Sequence, residues 1–562
     1  MQRIIECVPN FSEGRDQTVI RLITDAIARV DGVALLDVDP GQATHRTVVT
    51  FAGDPEAVVE AAVEAARVAA ELIDMRQHHG EHPRFGALDV CPLVPVSGVT
   101  MEETAELARH LGERLGKEVG LTIYCYERAA SSEERRNLAD VRAGEYEGLG
   151  EKLSLPEWQP DYGPAEFNPR SGATAVGARD FLVACNINLN TTSTRRANAI
   201  AFDVREKGRI KRTGHPLTGD MVRDEEGNPV YTPGTLKAVK AIGWFIDEYG
   251  IAQISMNLTD VGVTPIHAAF DEVCEKAGAR GVRVTGSELV GLVPLQALLA
   301  AGRHYLRKQQ RSLGIPDREI LKIAVRSMGL DDLKPFDSDE KIIEYKLASL
   351  LTSSPRLVDS TVIGFAEETA SESPAPGGGS VSAVAGTLGA ALGTMVANLS
   401  AHKRGWDERW EEFSDWAATG KTIYQDLLEL VDLDTDAFNA VMAAYRLPKR
   451  TEADQERRHE AIQQAARQAM EVPLAVMEKA FQSMTLLKAM AENGNPASVS
   501  DAGVGALCAR TAVRGAFLNV RINSTELEDH DLAAQLIARG EEIDRQARDL
   551  EVEILAVVEK GL

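Results

Sequence analysis

Apolar periodicity along this 562-residue chain changes character once, and that change constrains the architecture more than any motif does. Up to about Tyr345, short apolar runs of strand length alternate with stripes at helical spacing. From Arg356 onward only helical spacing appears, broken at SESPAPGGGS, RLPKRT and ENGNPAS. Strand-rich and purely helical stretches bury their apolar faces in different layer architectures, so two fold classes are expected to meet at residues 348–356. At roughly 150 residues per domain the length also calls for three or four folding units, so the first part should itself divide. The expected units are residues 1–180, residues 181–347, a linker at 348–356, and an all-α domain at 357–562.

The first part reads as β-α-β-β-α-β. RIIECV is a strand, Ile20, Ile23, Ile27 and Val30 stripe a helix, and VALLDVD and RTVVTF are two further strands. Asp54-Pro55 supplies an N-cap and first-turn proline to a helix, after which ALDVCPLVPV is the next strand. This order is ferredoxin-like, with one more α-β added by the Thr100/Glu103 capping box, its helix and LTIYCYE. FLVACNINLN opens a second α/β unit, in which AQISMNLTD and RVTGSEL read as strands and residues 266–276 and 294–305 as helices.

Charge and cysteine usage exclude several classes. With 61 Lys+Arg against 85 Asp+Glu the net charge is -24, which repels nucleic acid and acidic membranes, so an anionic substrate must be met by local cations. The six cysteines lie far apart without a CxxC pair, as expected for a reducing, cytoplasmic compartment. Residues 373–401 carry no charge and could span a bilayer by length. Their Ala, Gly, Ser and Thr content points instead to a tightly packed helix with no membrane role.

Three places could carry chemistry. His78-His79-Gly80-Glu81-His82 spells a zinc-peptidase motif, but Gly80 and Pro83 oppose the helix that motif needs, so no metal is expected. His82 on a loop could instead serve as base and then acid near neutral pH, a structural loop histidine being the competing reading. Asn10, Asp39, Arg46 and Arg84 lie on loops or strand ends expected on the same side. There Asp39 could orient an imidazole, and Arg46 or Arg84 could clamp a carboxylate.

In the helical part, Gly377, Gly378, Gly379 and Ser380 enter a helix and could form an anion nest, or merely allow tight packing. Asp434 interrupts the stripe Leu427, Val431, Phe438, Val441, Tyr445. It is therefore expected to be desolvated with a raised pKa, whereas Asp432 and Asp436 fall off the stripe and should be solvated. Asn519 and Asn523 point inward with Cys508, Ala512 and Gly515, toward either a polar ligand or other helices.

ECVPNFSEGR, GEHPRFGALDVCP, AGEYE, GATAVGARDFLVACNINLN, GSELVGLVPLQAL, APGGGSVSA, VDLDTDAF and GAFLNVRIN together make the chain resemble the bifunctional formimidoyltransferase-cyclodeaminase family over nearly its whole length. The resemblance implies two α+β formimidoyltransferase subdomains followed by a helical-bundle cyclodeaminase. It implies transfer of formimidoyl from N-formimidoylglutamate to tetrahydrofolate as co-substrate, then closure to 5,10-methenyltetrahydrofolate with loss of ammonia. It also implies no metal or redox cofactor, and a homo-oligomer. It places the transferase histidine at His82 and the cyclodeaminase aspartate at Asp434. The folate-contacting loop falls on Gly163, Pro164, Ala165, Glu166, Phe167, Asn168, Pro169, Arg170, Ser171 and Gly172. Residues 212–234 are longer than the family's vertebrate-type pattern.

Overall fold

In the computed structural model, the described residues are 3–41, 45–79, 84–214, 219–246, 249–351, 356–373 and 375–562, without the side chains of 350 and 351. The chain forms two compact units, Met1–Ala301 with Ala324–Thr352, and Gly302–Ile323 with Ser353–Leu562.

The first unit opens with β1 (Ile4–Cys7), β2 (Asn10–Phe11), α1 (Gln17–Ala28), β3 (Val33–Gly41), β4 (Arg46–Gly53), α2 (Pro55–Leu72), β5 (Leu88–Ser97), α3 (Met101–Arg114) and β6 (Thr122–Glu127). Its helix starts are those the sequence announces. Asp54 caps α2 with Pro55 at the first turn, and Thr100 and Glu103 form a reciprocal capping box on α3. Short helices α4 (Leu138–Val141) and α5 (Leu149–Lys152) follow, then β7 (Ala173–Ala178). Strands β3, β4, β1 and β5 lie in that order, antiparallel, with β2 continuing the line of β1; β7 and β6 then extend the sheet in parallel.

Side chains alternate across a strand, so Ile5, Cys7, Phe11, Val49 and Phe51 pack beneath the helices with Ile23, Ile27, Val59 and Val63. Glu6, Asn10 and Arg46 belong to the opposite face. There Phe85, Tyr124 and Tyr126 form a second, smaller core with Val141 and Leu149.

The rest of this unit contains β8 (Val183–Leu189), α6 (Thr194–Val204), a ribbon of β9 (Arg209–Ile210) and β10 (Tyr231–Thr232), β11 (Val239–Ile246), β12 (Ile251–Leu258), α7 (Ile266–Gly278), β13 (Val284–Val290) and α8 (Leu295–Lys308). The sheet order is β11-β12-β8-β13, all antiparallel, the same second-third-first-fourth arrangement as in the first sheet. Among the elements not expected from the sequence are β7, α6 and β11. The long segment 212–234 largely folds back on itself through the β9/β10 pairing and the bridges Arg212 to Met221 and Arg223 to Pro229.

Helices α9 (Asp317–Met328), α10 (Ser338–Lys341) and α11 (Ile343–Leu351) lead to the helical unit. This unit contains α12 (Val362–Ala370), α13 (Gly378–Ala401), α14 (Trp410–Arg446), α15 (Glu452–Asn493), α16 (Val499–Asn523) and α17 (His530–Gly561). The apolar helix α13 is long enough to cross a membrane, yet most of it is buried against its neighbours. A Cβ on Gly389 would come within 2.7 Å of the Gly505 carbonyl of α16, so the small residues serve close helix approach, as expected.

The two units exchange at Thr352 and Ser353, inside 348–356, and residues 302–323 cluster with the helical unit in addition. The Ser312 hydroxyl donates to Asn398 Oδ1 at 2.6 Å, Asn398 Nδ2 donates to the Gly314 carbonyl at 3.1 Å, and the Leu313 amide donates to Ser414 Oγ at 3.1 Å. The Lys421 ammonium, only 6% exposed at its side chain, pairs with Asp317. Apolar periodicity carries no record of such polar anchoring, so the sequence pattern alone does not assign 302–323 to the helical unit.

Candidate functional sites

On the face of the first sheet away from its main core, β2, β4 and β5 bring Asn10, Arg46 and Asp89 together. Arg46 Nε donates to Asn10 Oδ1 at 2.9 Å, and its Nη1 lies 3.0 Å from Asp89 Oδ2. Arg142, at the end of α4, reaches the same Asp89 oxygen at 2.9 Å, while the other Asp89 oxygen accepts the Phe85 amide. Asp89 is 1% exposed. Two guanidiniums therefore share one buried carboxylate.

Beside this cluster, Tyr146 ties together two parts that the sequence treats separately. Arg84 lies over its ring at 5.0 Å, Phe167 packs against it at 5.5 Å between centroids, and its hydroxyl donates to the Pro169 carbonyl. The loop at 163–172 is fixed at its far end, where Asn168 Oδ1 accepts the amides of Arg170 and Ser171, and the Arg170 carbonyl accepts the Met75 amide. Arg84 is not the free clamp the sequence suggests. Its guanidinium pairs with Glu147 and donates to the carbonyls of Met75 and His78, so it holds the loop instead. Asp39 sits exposed on β3, opposite Val48. His82, the leading catalytic candidate, lies outside the described residues, which resume at Arg84.

The helical unit holds a cavity of about 400 Å³ whose lining includes Gly378, Gly379, Asp434, Phe438, Asn519 and Asn523. The residues singled out at three separate places in the sequence thus meet in one place. Burial raises the Asp434 carboxyl above the ordinary carboxylate range, against the lowering effect of the Ser380 hydroxyl, at 2.9 Å, and the Ser380 amide. The group held at the start of α13 is therefore the protein's own Asp434 side chain. A Cβ on Gly379 would lie 2.0 Å from Asp434 Oδ1, so only glycine lets the carboxylate sit there.

Asn519 Nδ2 donates to the Gly515 carbonyl at 3.0 Å, and Asn523 Nδ2 to Ala469 of α15 at 2.7 Å, so inter-helix bonding and cavity lining are both true of Asn523. Tyr445 pairs with Glu526 at the rim. Asp432 departs from expectation. Its side chain is only 19% exposed, and it accepts the Leu357 amide at 2.7 Å and Arg356 Nε at 3.1 Å, anchoring the chain that enters this unit. Asp436 is exposed, as expected.

Asp89, Arg142, Tyr146 and Glu526 were not identified from sequence. Asp89 had a signal, a lone acid inside the apolar run LDVCPLVPV, and Tyr146 lay within AGEYE. Among the described residues no group of three or more His, Cys, Asp or Glu side chains could hold a metal ion.

Three family models match the chain: "Formiminotransferase domain, N-terminal subdomain" at residues 4–179, "Formiminotransferase domain" at 184–348 and "Formiminotransferase-cyclodeaminase" at 361–542. The formimidoyltransferase-cyclodeaminase of Gallus gallus is 44% identical over 563 residues, covering 100% of this chain and 99% of that protein. The glutamate formimidoyltransferase of Streptococcus pyogenes serotype M1 is 40% identical, covering 55% of this chain and 94% of its own length. The methenyltetrahydrofolate cyclohydrolase of Methylorubrum extorquens is 35% identical over 35% of this chain and 95% of its own length.

Proposed function

Because this chain belongs to the formimidoyltransferase-cyclodeaminase family, we propose that its two candidate sites carry the family's two activities in chain order, transfer on the α/β unit and cyclisation in the helical cavity. The protein moves the formimidoyl group from N-formimidoyl-L-glutamate to tetrahydrofolate. It then closes 5-formimidoyltetrahydrofolate to 5,10-methenyltetrahydrofolate, releasing ammonia. The observation that carries the assignment of sites is the cavity that gathers Asp434, the glycine-rich start of α13 and the two asparagines of α16.

In the first step, N5 of the folate attacks the amidine carbon, and the glutamate nitrogen leaves. One proton must pass from N5 to that nitrogen, and a single imidazole, His82, can take it and return it. Arg46 and Arg142, which share Asp89, are the cations of this sheet face, and the 163–172 loop packed on Tyr146 lies beside them.

In the second step, N10 attacks the same carbon and the exocyclic nitrogen departs, taking up one proton from outside the folate. Asp434, whose carboxyl burial raises above its ordinary value, is the candidate to give that proton. The matching strand orders favour a ferredoxin-like reading of both α/β subdomains. The chain also self-associates in this proposal, since Leu388 and Met395 of α13 and Val504, Leu507 and Leu518 of α16 stand exposed on packed helices.

One assay tests the assignment: release of glutamate, ammonia and methenyl-folate absorbance from N-formimidoylglutamate plus tetrahydrofolate. His82→Ala should reduce glutamate release by about 100-fold or more while sparing closure of supplied 5-formimidoyltetrahydrofolate. Transfer retained within about tenfold of wild type would remove His82 from the role.

A further inference from the structure

One side of the cavity in the helical unit is lined by Asn519, Asn523 and Glu526, which follow one another at i, i+4 and i+7 along α16 and the single turn Ser524–Glu526 that continues it. Residues at that spacing share a face, so the three form one edge. The donor groups of this edge are already engaged. Asn519 Nδ2 donates to the Gly515 carbonyl at 3.0 Å and Asn523 Nδ2 to the Ala469 carbonyl at 2.7 Å. Neither amide oxygen receives a hydrogen bond from the described residues. Glu526 Oε2 accepts the Tyr445 hydroxyl, and its other oxygen has no partner among them. What the edge offers a ligand is therefore three acceptors in a row and no donor.

The neighbours of the edge fix its direction. Asn519 lies against the start of α13, where a Cβ on Gly378 would be 3.4 Å from its Nδ2, and the next residue, Gly379, touches Asp434. Glu526 stands beside Tyr445, which on α14 lies about 16 Å beyond Asp434 at 1.5 Å per residue. Phe438, Val441 and Met442 supply an apolar wall along the same helix.

Which end of a folate suits such an edge follows from polarity. The glutamyl tail presents carboxylates, which a row of acceptors ending in a carboxylate repels. The reduced pterin presents donors: the 2-amino group and the ring N–H groups. Its 4-oxo group neighbours N5, so a ring with N5 near Asp434 brings that oxygen toward the start of α13, whose first amides have no intrahelical acceptor. We propose that Asn519, Asn523 and Glu526 are the pterin-reading edge of the helical site, Glu526 accepting from the 2-amino group and the amide oxygens from ring N–H groups. The proposal rests on the cyclodeaminase reading of the cavity and adds which part of the folate lies along which wall. These residues bind and do not move protons, so their loss belongs in KM more than in kcat.

The experiment uses the full-length protein, with formimidoyl transfer as the folding control. Two probes compete with closure of supplied 5-formimidoyltetrahydrofolate: 5-formyltetrahydrofolate, in which oxygen replaces the departing nitrogen, and its 2-desamino-2-methyl analogue, which lacks the donor. Hydrogen–deuterium exchange of the peptide covering residues 515–527 reads occupancy of this cavity without turnover. Wild type should bind the first probe about tenfold or more tighter than the second, as loss of a hydrogen bond to a charged acceptor predicts, and should show the stronger protection with it. Glu526→Ala should raise the closure KM about tenfold or more, with a smaller change in kcat, and bring the two probes to near-equal affinity. Asn519→Ala, whose Gly515 carbonyl keeps its helical partner, should raise KM while retaining the preference for the 2-amino compound.

Wild type that does not distinguish the probes, or Glu526→Ala that keeps the wild-type preference, overturns the proposal. So does a Tyr445→Phe variant that loses the preference as fully as Glu526→Ala, since Glu526 would then act only by holding Tyr445. If wild type closes no 5-formimidoyltetrahydrofolate, the cyclodeaminase reading fails instead, while exchange at 515–527 with the two probes still decides whether this edge reads the 2-amino group.

Discussion

At the scale of single residues, two carboxylates show how burial sets a proton's position. Asp434→Asn keeps the shape but not the proton, so it should lower cyclodeaminase activity by about 100-fold or more. Transfer should continue and 5-formimidoyltetrahydrofolate should accumulate; methenyl-folate formed at the wild-type ratio to glutamate would refute the assignment. Gly379→Ala tests the same site from its neighbour. A Cβ 2.0 Å from Asp434 Oδ1 must displace the carboxylate, so cyclisation should fall with a stability cost of about 1–3 kcal/mol, read as a lower Tm.

Glu6 is different. Its burial on the sheet face raises its pKa to about 7, against the lowering effect of Arg179. A folded-state value above the ordinary 4.5 means that the neutral form is favoured by folding, so this stability is complete below pH 4.5 and drains away up to about pH 7. The loss is of the order of 3 kcal/mol. Glu6→Gln should therefore flatten the dependence of denaturant stability on pH between 5 and 8; an identical slope in wild type and variant would show that Glu6 titrates normally.

At the scale of elements, what the sequence displays and what it conceals differ for physical reasons. Helices with side-chain caps, such as α2 and α3, or with a large apolar stripe, such as α14, are plain in the sequence, and the stripe on α14 is what singled out Asp434. Strand β7 is not plain. Its ATAVGA is buried throughout, and a Cβ on Gly177 would sit 2.6 Å from the Tyr126 ring, so small residues are required where strand signals look for large ones. Strand β11 hides for the opposite reason: its exposed side carries Ile242 and Trp244 while Ala241 and Gly243 face inward, which erases the usual alternation.

Asp432 illustrates the limit of a stripe argument, since a position off the helix's core face can still meet a neighbouring segment. Asp432→Ala should cost about 1 kcal/mol or more by freeing the Leu357 amide and Arg356, with the product ratio unchanged, whereas Asp436→Ala should be neutral in both. A Tm drop in Asp436→Ala matching that in Asp432→Ala would contradict this account of the anchor.

At the scale of the whole molecule, the helical unit takes in residues 302–323 as well as the chain beyond the change in periodicity. A fragment of residues 357–562 retains Lys421 but loses Asp317, and with it the chain that covers Asn398 and Ser414. An ammonium left buried without its partner is costly, about 3–5 kcal/mol in comparable cases. The isolated fragment is therefore expected to be poorly soluble or to melt well below the same domain in the intact protein. Lys421→Met, which removes the stranded charge, should recover part of the loss. A fragment 357–562 as stable as the intact helical unit would show that residues 302–323 contribute nothing.

The exchange of residues 302–323 has one more consequence. A protease that cleaves only within 348–356 severs the backbone without removing residues 302–323, which hydrogen-bond within the helical unit. Nicked protein should then behave as a two-piece complementation pair, co-eluting as one particle and separating only in denaturant, so the covalent link between the two enzymes is the more dispensable of the two ties that join them.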